Sequence, residues 1–477
     1  MRKTKIICTL GPNAENYDIL KQMAMLMDVG RFNFSHGSYE EHKHKLDLLI
    51  KVRKDTNRPI ATLLDTKGPE IRTVQNKNHK KIKLIKNNEI SIAVGDNLCD
   101  DKIIYVTYEN IINDVKVGDI ILIDDGLIEL KVKTKEKDKL ICTIQNDAEL
   151  GERKGVNLPG IKLSLPDLTE KDINDIKFGI ENDFDMVAAS FVRSPQCIRS
   201  IKKILKDNNS NMLVIAKIEN QEGIDNLDEI INEADGIMIA RGDLGVEIKA
   251  SYIPYLQKQI IKKCNMKGKL VITATQMLDS MIKNKRPTRA EVTDVANAIY
   301  DGTDAIMLSG ETANGAYPVE SVKMMHQIAE ETELHINNQH RLESLYQTDI
   351  NLSITNTVCK SITVAANELN AKAIVTPTIS GHTAKVISKF KPNEIIYALS
   401  KDMKVVRQLM IYYGVVPMWS ERPDESDAIV GDALVQLRDN KYLTVGDVVV
   451  VAFGKALKED DNLIKAHTNT MRIEVVY

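Results

Sequence analysis

Eight short apolar runs constrain this chain more than any other feature: KIICTL (5–10), DVGRFNF (28–34), IATLLDT (60–66), DMVAASF (185–191), VIAKIE (214–219), GIMIAR (236–241), LVITAT (270–275) and AIMLS (305–309). Most are apolar without alternation, as strands covered on both faces are. Helical patterns lie between most of them, for example ENYDILKQMAMLM, SPQCIRSIKKILKDN and SYIPYLQKQIIKKC. Repeated strand–helix units imply a parallel sheet, and eight of them predict an α/β chain built on a closed (β/α)8 barrel. An open doubly wound sheet is the alternative that the pattern leaves standing.

Two stretches break the rhythm. More than a hundred residues separate the third and fourth runs, and they hold short β-type segments (KIKLI, EISIAV, IIYVTY, IILIDDGLIELKV, KLICTI) broken by GD, NN and KD turns. Lys131, Lys133, Lys135, Lys137 and Lys139 alternate there, the mark of one solvated strand face. This predicts a small all-β domain inserted as a lid at 70–157 on the rim of a barrel formed by 1–69 and 158–332. After residue 332, ELHINNQHRLESLYQTDINLS reads as a linker plus helix, and a second strand–helix series follows, so 333–477 forms a C-terminal α/β domain.

Composition narrows the setting. A net charge of -3 gives no strong attraction to nucleic acid or an anionic membrane. No apolar run reaches the roughly 18–20 residues of a membrane span, and the apolar part of MRKTKIICTLGP is too short for a signal sequence. Six scattered cysteines without CxxC fit reduced thiols in a cytoplasmic protein.

Barrel enzymes carry their chemistry at the carboxyl ends of the strands. Here those ends supply Thr9; Arg31, Asn33 and Ser35; Asp65, Thr66 and Lys67; Ser190; Lys217 and Glu219; Arg241 and Asp243; Thr275 and Gln276; Ser309 and Glu311. Residues two apart on a strand share a face, so Lys217 and Glu219 look one way and Ile218 the other. They form either a structural ion pair or a ligand-binding set. Glu219 and Asp243 are hard oxygen ligands suited to Mg2+ or Mn2+. Lys217 and Arg31 suit a phosphoryl group or a carboxylate. Asn33, Ser35, Asp65 and Thr66 offer four oxygens for a monovalent cation, or a plain hydrogen-bond network. ARGDLGVE precedes a helix start whose N–H groups can seat an anion. No Walker A sequence, GxGxxG or Ser/His/Asp set is present. Cys8 falls within a strand and reads as core.

Taken together, RKTKIICTLGP, RFNFSHG, LLDTKGPEIRT, IDDGLIEL, KGVNLPG, AKIENQEG, MIARGDLGVE, TATQMLDSMIKNKRPTRAEVTDVANAIYDGTDAIMLSGETANG and TNTMRI resemble the pyruvate kinase family in order and along the whole chain. The resemblance implies transfer of the phosphoryl group of phosphoenolpyruvate to ADP, giving ATP and pyruvate. It implies Lys217, Arg31 and Thr275 as catalytic. It implies contacts to phosphoenolpyruvate from Arg31, Lys217, Thr275, Asp243 and the backbone of Ala240, Arg241 and Gly242. Mg2+ (or Mn2+) falls to Glu219 and Asp243, and K+ to Asn33, Ser35, Asp65 and Thr66, with Glu70 marking K+ dependence. Nucleotide contacts fall to Asn33, His36, Arg72 and Lys154. TPTISGHTAKVISKFKP matches an effector loop in which Thr378, Ser380, Gly381, His382 and Thr383 would cradle a sugar phosphate. A β-barrel form for the inserted lid at 70–157 and a homotetramer with barrel–barrel and C-domain contacts are implied as well.

Two segments depart from the family pattern. MLMDVGR (25–31) is short and has Gly30 where Ala is usual. AFGKALKEDDNLIKAHTNTM lacks the Gly- and Pro-rich completion of the effector site and carries Glu459, Asp460 and Asp461. The alternatives to a pyruvate kinase are a metal-dependent enolate-forming lyase, which would not need Lys217, the lid and the K+ set together, and a catalytically inactive binding protein.

Overall fold

A computed structural model describes residues 1–336, 353–421, 426–454, 458–459, 462–463 and 468–477. The expected linker and helix over 333–353 fall mostly outside the described residues, as do Asp460, Asp461 and the side chain of Glu459.

The eight runs are eight strands: β1 (Lys5–Thr9), β2 (Val29–Asn33), β3 (Ala61–Asp65), β4 (Met186–Ala189), β5 (Leu213–Ile218), β6 (Gly236–Ala240), β7 (Leu270–Ala274) and β8 (Ala305–Leu308). Each pairs in parallel with its neighbour in the chain, and β8 pairs with β1, closing the barrel. The open-sheet alternative is excluded by that last pairing.

Side-chain alternation divides the wall into two layers. Ile6, Cys8, Val214, Ala216 and Ile218 pack outward among helix residues such as Leu20, Ile198 and Ile260. Ile7, Val29, Leu63, Leu213 and Ile215 fill the interior. The interior cluster continues into Ile374, Ile396, Leu409 and Val450 of the C-terminal domain, so that domain stoppers the barrel's lower end. Helix starts are fixed locally: Ser38 with Glu41, Thr169 with Asp172 and Thr288 with Glu291 form reciprocal capping boxes.

The shortened segment resolves into a tight corner. The helix Tyr17–Ala24 ends, and β2 starts at Val29. Asp28 pins the corner by accepting from the Ile6 amide (2.8 Å) and pairing with Arg2 (2.7 Å). A Cβ on Gly30 would come within 2.9 Å of Leu10 Cδ1, so glycine suits the closer packing here.

The inserted region departs from a single closed β-barrel. It consists of a six-stranded sheet (Val156–Asn157, Ile120–Ile123, Ile128–Lys135, Lys139–Ile144, Glu89–Val94, Ile103–Val106), a two-stranded ladder (Ile82–Leu84 with Ala148–Leu150) and the short helix Ile111–Asp114. Single bridges such as Arg72↔Gly155 and Thr73↔Val106 stitch the parts around a separate apolar core. Strands this short, with a register shift at Val132–Thr134, cannot sustain one continuous ladder. The lysine row is exposed at Lys131, Lys133 and Lys135, but the hairpin then turns and Lys139 opens the next strand.

In the C-terminal domain, Val415–Trp419, Ile395–Ser400, Ala373–Pro377 and Val448–Phe453 are parallel, and Thr470–Val475 adds an antiparallel edge. On that edge Met471, Ile473 and Val475 face outward.

Candidate active site

The interior rows end in charge. Val29 is followed on its face by Arg31, Leu63 by Asp65, and Ile215 by Lys217 and then Glu219. The topmost interior layer of an otherwise apolar barrel is thus ionic. Lys217 Nζ lies 3.1 Å from Asp65 Oδ1 and 3.0 Å from Glu219 Oε1, and it donates to Ser190 Oγ at 2.8 Å. Arg31 Nε meets Asp65 Oδ2 at 2.6 Å, and its Nη1 donates to Thr9 Oγ1 at 2.9 Å. Glu219 Oε2 accepts from the Phe191 amide at 2.6 Å.

Burial alone would neutralise such groups. It pulls the Lys217 ammonium down, but Asp65 and Glu219 outweigh it and hold the group above its ordinary range. Burial pushes the Asp65 carboxyl up, and Arg31 with Lys217 reverse this and hold it below the usual range. For Glu219 burial prevails: its carboxyl is raised, Lys217 opposing and Asp243 adding repulsion.

The ligand sets can be tested against this geometry. Glu219 follows β5, and Asp243 stands exposed in the first turn of the helix Arg241–Glu247 after β6. Two carboxylates repelling each other at neighbouring strand ends fit a divalent cation, which removes the repulsion. Among the described residues no group of three or more His, Cys, Asp or Glu side chains could hold a metal by itself, so a cation on these two would share its other ligands with substrate or water. For the monovalent set, Asn33 and Asp65 are directly opposite across β2 and β3. Asn33 Oδ1 accepts from the Ser35 amide (3.1 Å), Thr66 O accepts from Ser190 Oγ (2.6 Å), and the Asp65 carboxylate is shared between Arg31 and Lys217.

Thr275 and Gln276 follow β7 with φ of 66° and 55°. Two successive non-glycine residues in the left-handed region carry strain, which collects at functional sites. The turn is gripped from the next strand end. The Gly242 amide donates to Thr275 Oγ1 (2.7 Å), and Arg241 Nη2 donates to Thr275 O (2.8 Å) while its Nη1 pairs with Asp294 (2.7 Å). The Arg241 side chain therefore holds protein. Glu311, also counted among the polar ends, caps backbone: it accepts from the Leu278 and Ser309 amides.

The remaining expected positions scatter. Exposed His36 accepts from His42 at its carbonyl (2.9 Å). Arg72 is bound to Glu70 (2.8 and 2.7 Å) and Lys154 to Asp124 (2.9 Å), both at the lid's base. In the C-terminal domain, Gly381 (φ 77°) donates to Thr378 Oγ1 (3.0 Å) ahead of the helix His382–Lys389, with Ser380 in the same loop. Thr383 Oγ1 lies 2.8 Å from Thr468 Oγ1.

Ser190, which bonds Lys217, Asp65 and Thr66, received no role from the sequence beyond being a strand end, and Thr9 likewise. Their signal was positional only.

A family model described as "Pyruvate kinase, barrel domain" matches residues 1–322, and one described as "Pyruvate kinase, alpha/beta domain" matches 356–474. The chain belongs to the pyruvate kinase family. Pyruvate kinases of Staphylococcus epidermidis and Staphylococcus aureus are 48% and 47% identical over the whole chain, which spans 81% of their length. The crystal structure of a Cryptosporidium parvum pyruvate kinase superposes with a TM-score of 0.94 at 37% identity, covering 100% of this chain and 96% of that one. As a family member the chain is an enzyme, a phosphotransferase whose substrates are phosphoenolpyruvate and ADP and whose products are pyruvate and ATP. The lyase and inactive-protein readings have no further support.

Proposed function

We propose that the chain transfers the phosphoryl group with the ionic layer of the barrel as its catalytic centre and with Mg2+ (or Mn2+) and K+ as cofactors. The observation that carries this reading is Lys217, buried at the barrel mouth and held by Asp65, Glu219 and Ser190. The bond between phosphorus and the enol oxygen breaks, a bond to a terminal oxygen of ADP forms, and the enolate takes a proton on carbon to give pyruvate. Such a transfer asks mainly for alignment and charge neutralisation. Lys217 and Arg31 supply positive charge to the phosphoryl group in flight. Asp65 keeps both cations protonated and oriented. Glu219 and Asp243 would hold the divalent cation, which supplies charge neutralisation to phosphoryl and enolate oxygens when bound. The Ala240–Gly242 backbone seats the carboxylate, and Thr275 stands beside the face where the proton arrives. Asn33, Ser35, Asp65 and the Thr66 carbonyl form the K+ set, and Asn33, His36, Arg72 and Lys154 meet the nucleotide.

The finer proposals concern regulation and assembly. The Thr378–Thr383 loop takes a sugar phosphate. The chain assembles as a homotetramer, supported by exposed Tyr252, Tyr255 and Tyr300 on barrel helices and by the apolar edge strand with Met471, Ile473 and Val475. Its place is the cytoplasm, in keeping with six buried free cysteines; no described helix is long and apolar enough to cross a membrane. A coupled assay for ATP from phosphoenolpyruvate and ADP tests the reading. Activity should require a divalent cation, fall when Na+ replaces K+, and rise at low phosphoenolpyruvate on adding a sugar phosphate. Divalent-independent turnover would sink the metal assignment.

A further inference from the structure

The lid's return strand touches the helix that carries Asp243 through one side-chain hydrogen bond: Asn157 Nδ2 donates to Glu247 Oε1 at 2.8 Å. Asn157 closes the strand Val156–Asn157, which pairs with Leu122 and Ile123 of the lid sheet, so it moves with the lid. Glu247 is the last residue of the helix Arg241–Glu247, four residues after Asp243. At that spacing the two carboxylates share a helix face. Asp243 is exposed, and Glu247 is the one that meets the lid strand.

Three features make this contact a candidate for setting the lid's position. First, the contact borders a cavity rather than a closely packed face. A cavity of about 340 Å³ opens between lid base and barrel rim, lined on the lid side by Val156 and Leu158 and on the barrel side by Phe191 and Arg193, with Asp243 and Glu247 on its wall. Second, the chain is anchored to the barrel a few residues further on. Arg193 Nη1 donates to Leu163 O (2.8 Å), and its Nη2 donates to Leu165 O (2.6 Å) and Pro166 O (3.0 Å). Third, Gly160 lies between the two anchors with φ 72° and no atom within 4 Å of where a Cβ would be. That glycine leaves the backbone between the two anchors free to turn. Beyond it Ser164 is bonded to the lid, its amide donating to Tyr108 Oη (2.7 Å) and its Oγ to Asp114 Oδ1 (3.0 Å), so the segment that Arg193 holds is a pivot on which the lid can swing only if Asn157 and Glu247 part.

We infer that Asn157 and Glu247 form a latch: a pair of positioning residues that holds the lid against the Asp243 helix and so sets Arg72 and Lys154 over the nucleotide. The inference rests on the proposed roles of Asp243 and of the lid. A neutral acceptor serves as well as a charged one, so the latch makes a distinctive pattern. Asn157→Ala and Glu247→Ala should each raise KM for ADP about tenfold, the effect of losing one partly buried hydrogen bond to a carboxylate. KM for phosphoenolpyruvate, which binds on the barrel, should change less than about twofold on the same scale. Glu247→Gln keeps the acceptor and should behave as the parent chain. The double variant should be no worse than either single one.

Hydrogen exchange over residues 154–162 reads the latch without substrates, and it should quicken in both alanine variants but not in Glu247→Gln. Unchanged exchange, additive effects in the double variant, or a Glu247→Gln as impaired as Glu247→Ala would overturn the latch. Quickened exchange with an unmoved KM for ADP would overturn the lid's role as nucleotide cover instead, so the two readings fail separately.

Discussion

The barrel mouth and the Thr378–Thr383 loop are both places where a parallel strand runs into a helix, yet they differ in what gathers there. At the mouth, β2, β3 and β5 send charges into one buried layer, where Arg31 pairs with Asp65, Asp65 with Lys217 and Lys217 with Glu219. The C-domain loop draws on a single strand end and offers hydroxyls and backbone amides, with Gly381 turning the chain. Buried charge is costly unless every member is paired, so a mouth of this kind tolerates little change. A loop of hydroxyls can drift without cost to the fold. The C-terminal domain's departure from the family pattern lies in the later segment AFGKALKEDDNLIKAHTNTM, while every residue of the ionic layer matches.

The widest gap between the two regions should appear on removing the central cation. Lys217→Met should lower kcat by roughly 10²–10³-fold or more, the scale of losing a preorganised electrostatic partner to the transition state, with a smaller change in KM. Steady-state kinetics checks it, and a kcat near that of the parent chain would break the contrast. A buried charge away from the mouth should do the reverse. Asp185, fully buried, joins barrel to C-terminal domain through Arg407 (2.8 Å) and also meets Arg53 of the barrel's own helix Tyr39–Thr56 (3.5 Å). Asp185→Ala should cost about 3–5 kcal/mol of stability, as breaking a buried pair does, with kcat nearly kept. Denaturant unfolding and the coupled assay separate the two quantities.

A subtler test concerns pH. His42 stacks on Phe34 (centroids 4.0 Å apart), and burial lowers its pKa from 6.5 to about 4. The unfolded chain therefore binds a proton between pH 6.5 and 4 that the folded chain refuses. Stability should be complete above that window and fall as pH drops through it. His42→Gln should flatten part of that slope in unfolding measured across the same window. The smallest effect belongs to the loop: Ser380→Asp should leave basal turnover within about twofold while abolishing any sugar-phosphate activation through like-charge repulsion. Loss of basal turnover would blur the line between the two regions.

Continuous apolar runs specify strands buried on both faces, so the barrel and the four parallel C-domain strands could be read with boundaries differing by only a residue or two, whereas the alternating, half-exposed edge strand Thr470–Val475 was not read. Lys217 and Glu219 were legible because the strand period places them on one face. The lid's actual form was not, because short strands take their pairing from contacts across the sheet that no local pattern encodes. Arg241 shows the other limit. The sequence marks it as a polar strand end but not where its guanidinium goes, and that group folds back to brace Thr275 and Asp294, a choice settled by tertiary contacts. Ser190 was the converse, a residue of no local distinction that three partners make central.

The central claim is that Glu219 and Asp243 share one divalent cation beside Lys217. Mn2+ binding to the whole protein, followed by electron paramagnetic resonance without nucleotide, tests it most directly. Glu219→Gln and Asp243→Asn should each weaken Mn2+ binding by about tenfold or more, since each removes half of the proposed charge on the ion. Binding unchanged in both variants would place the cation elsewhere and contradict the account.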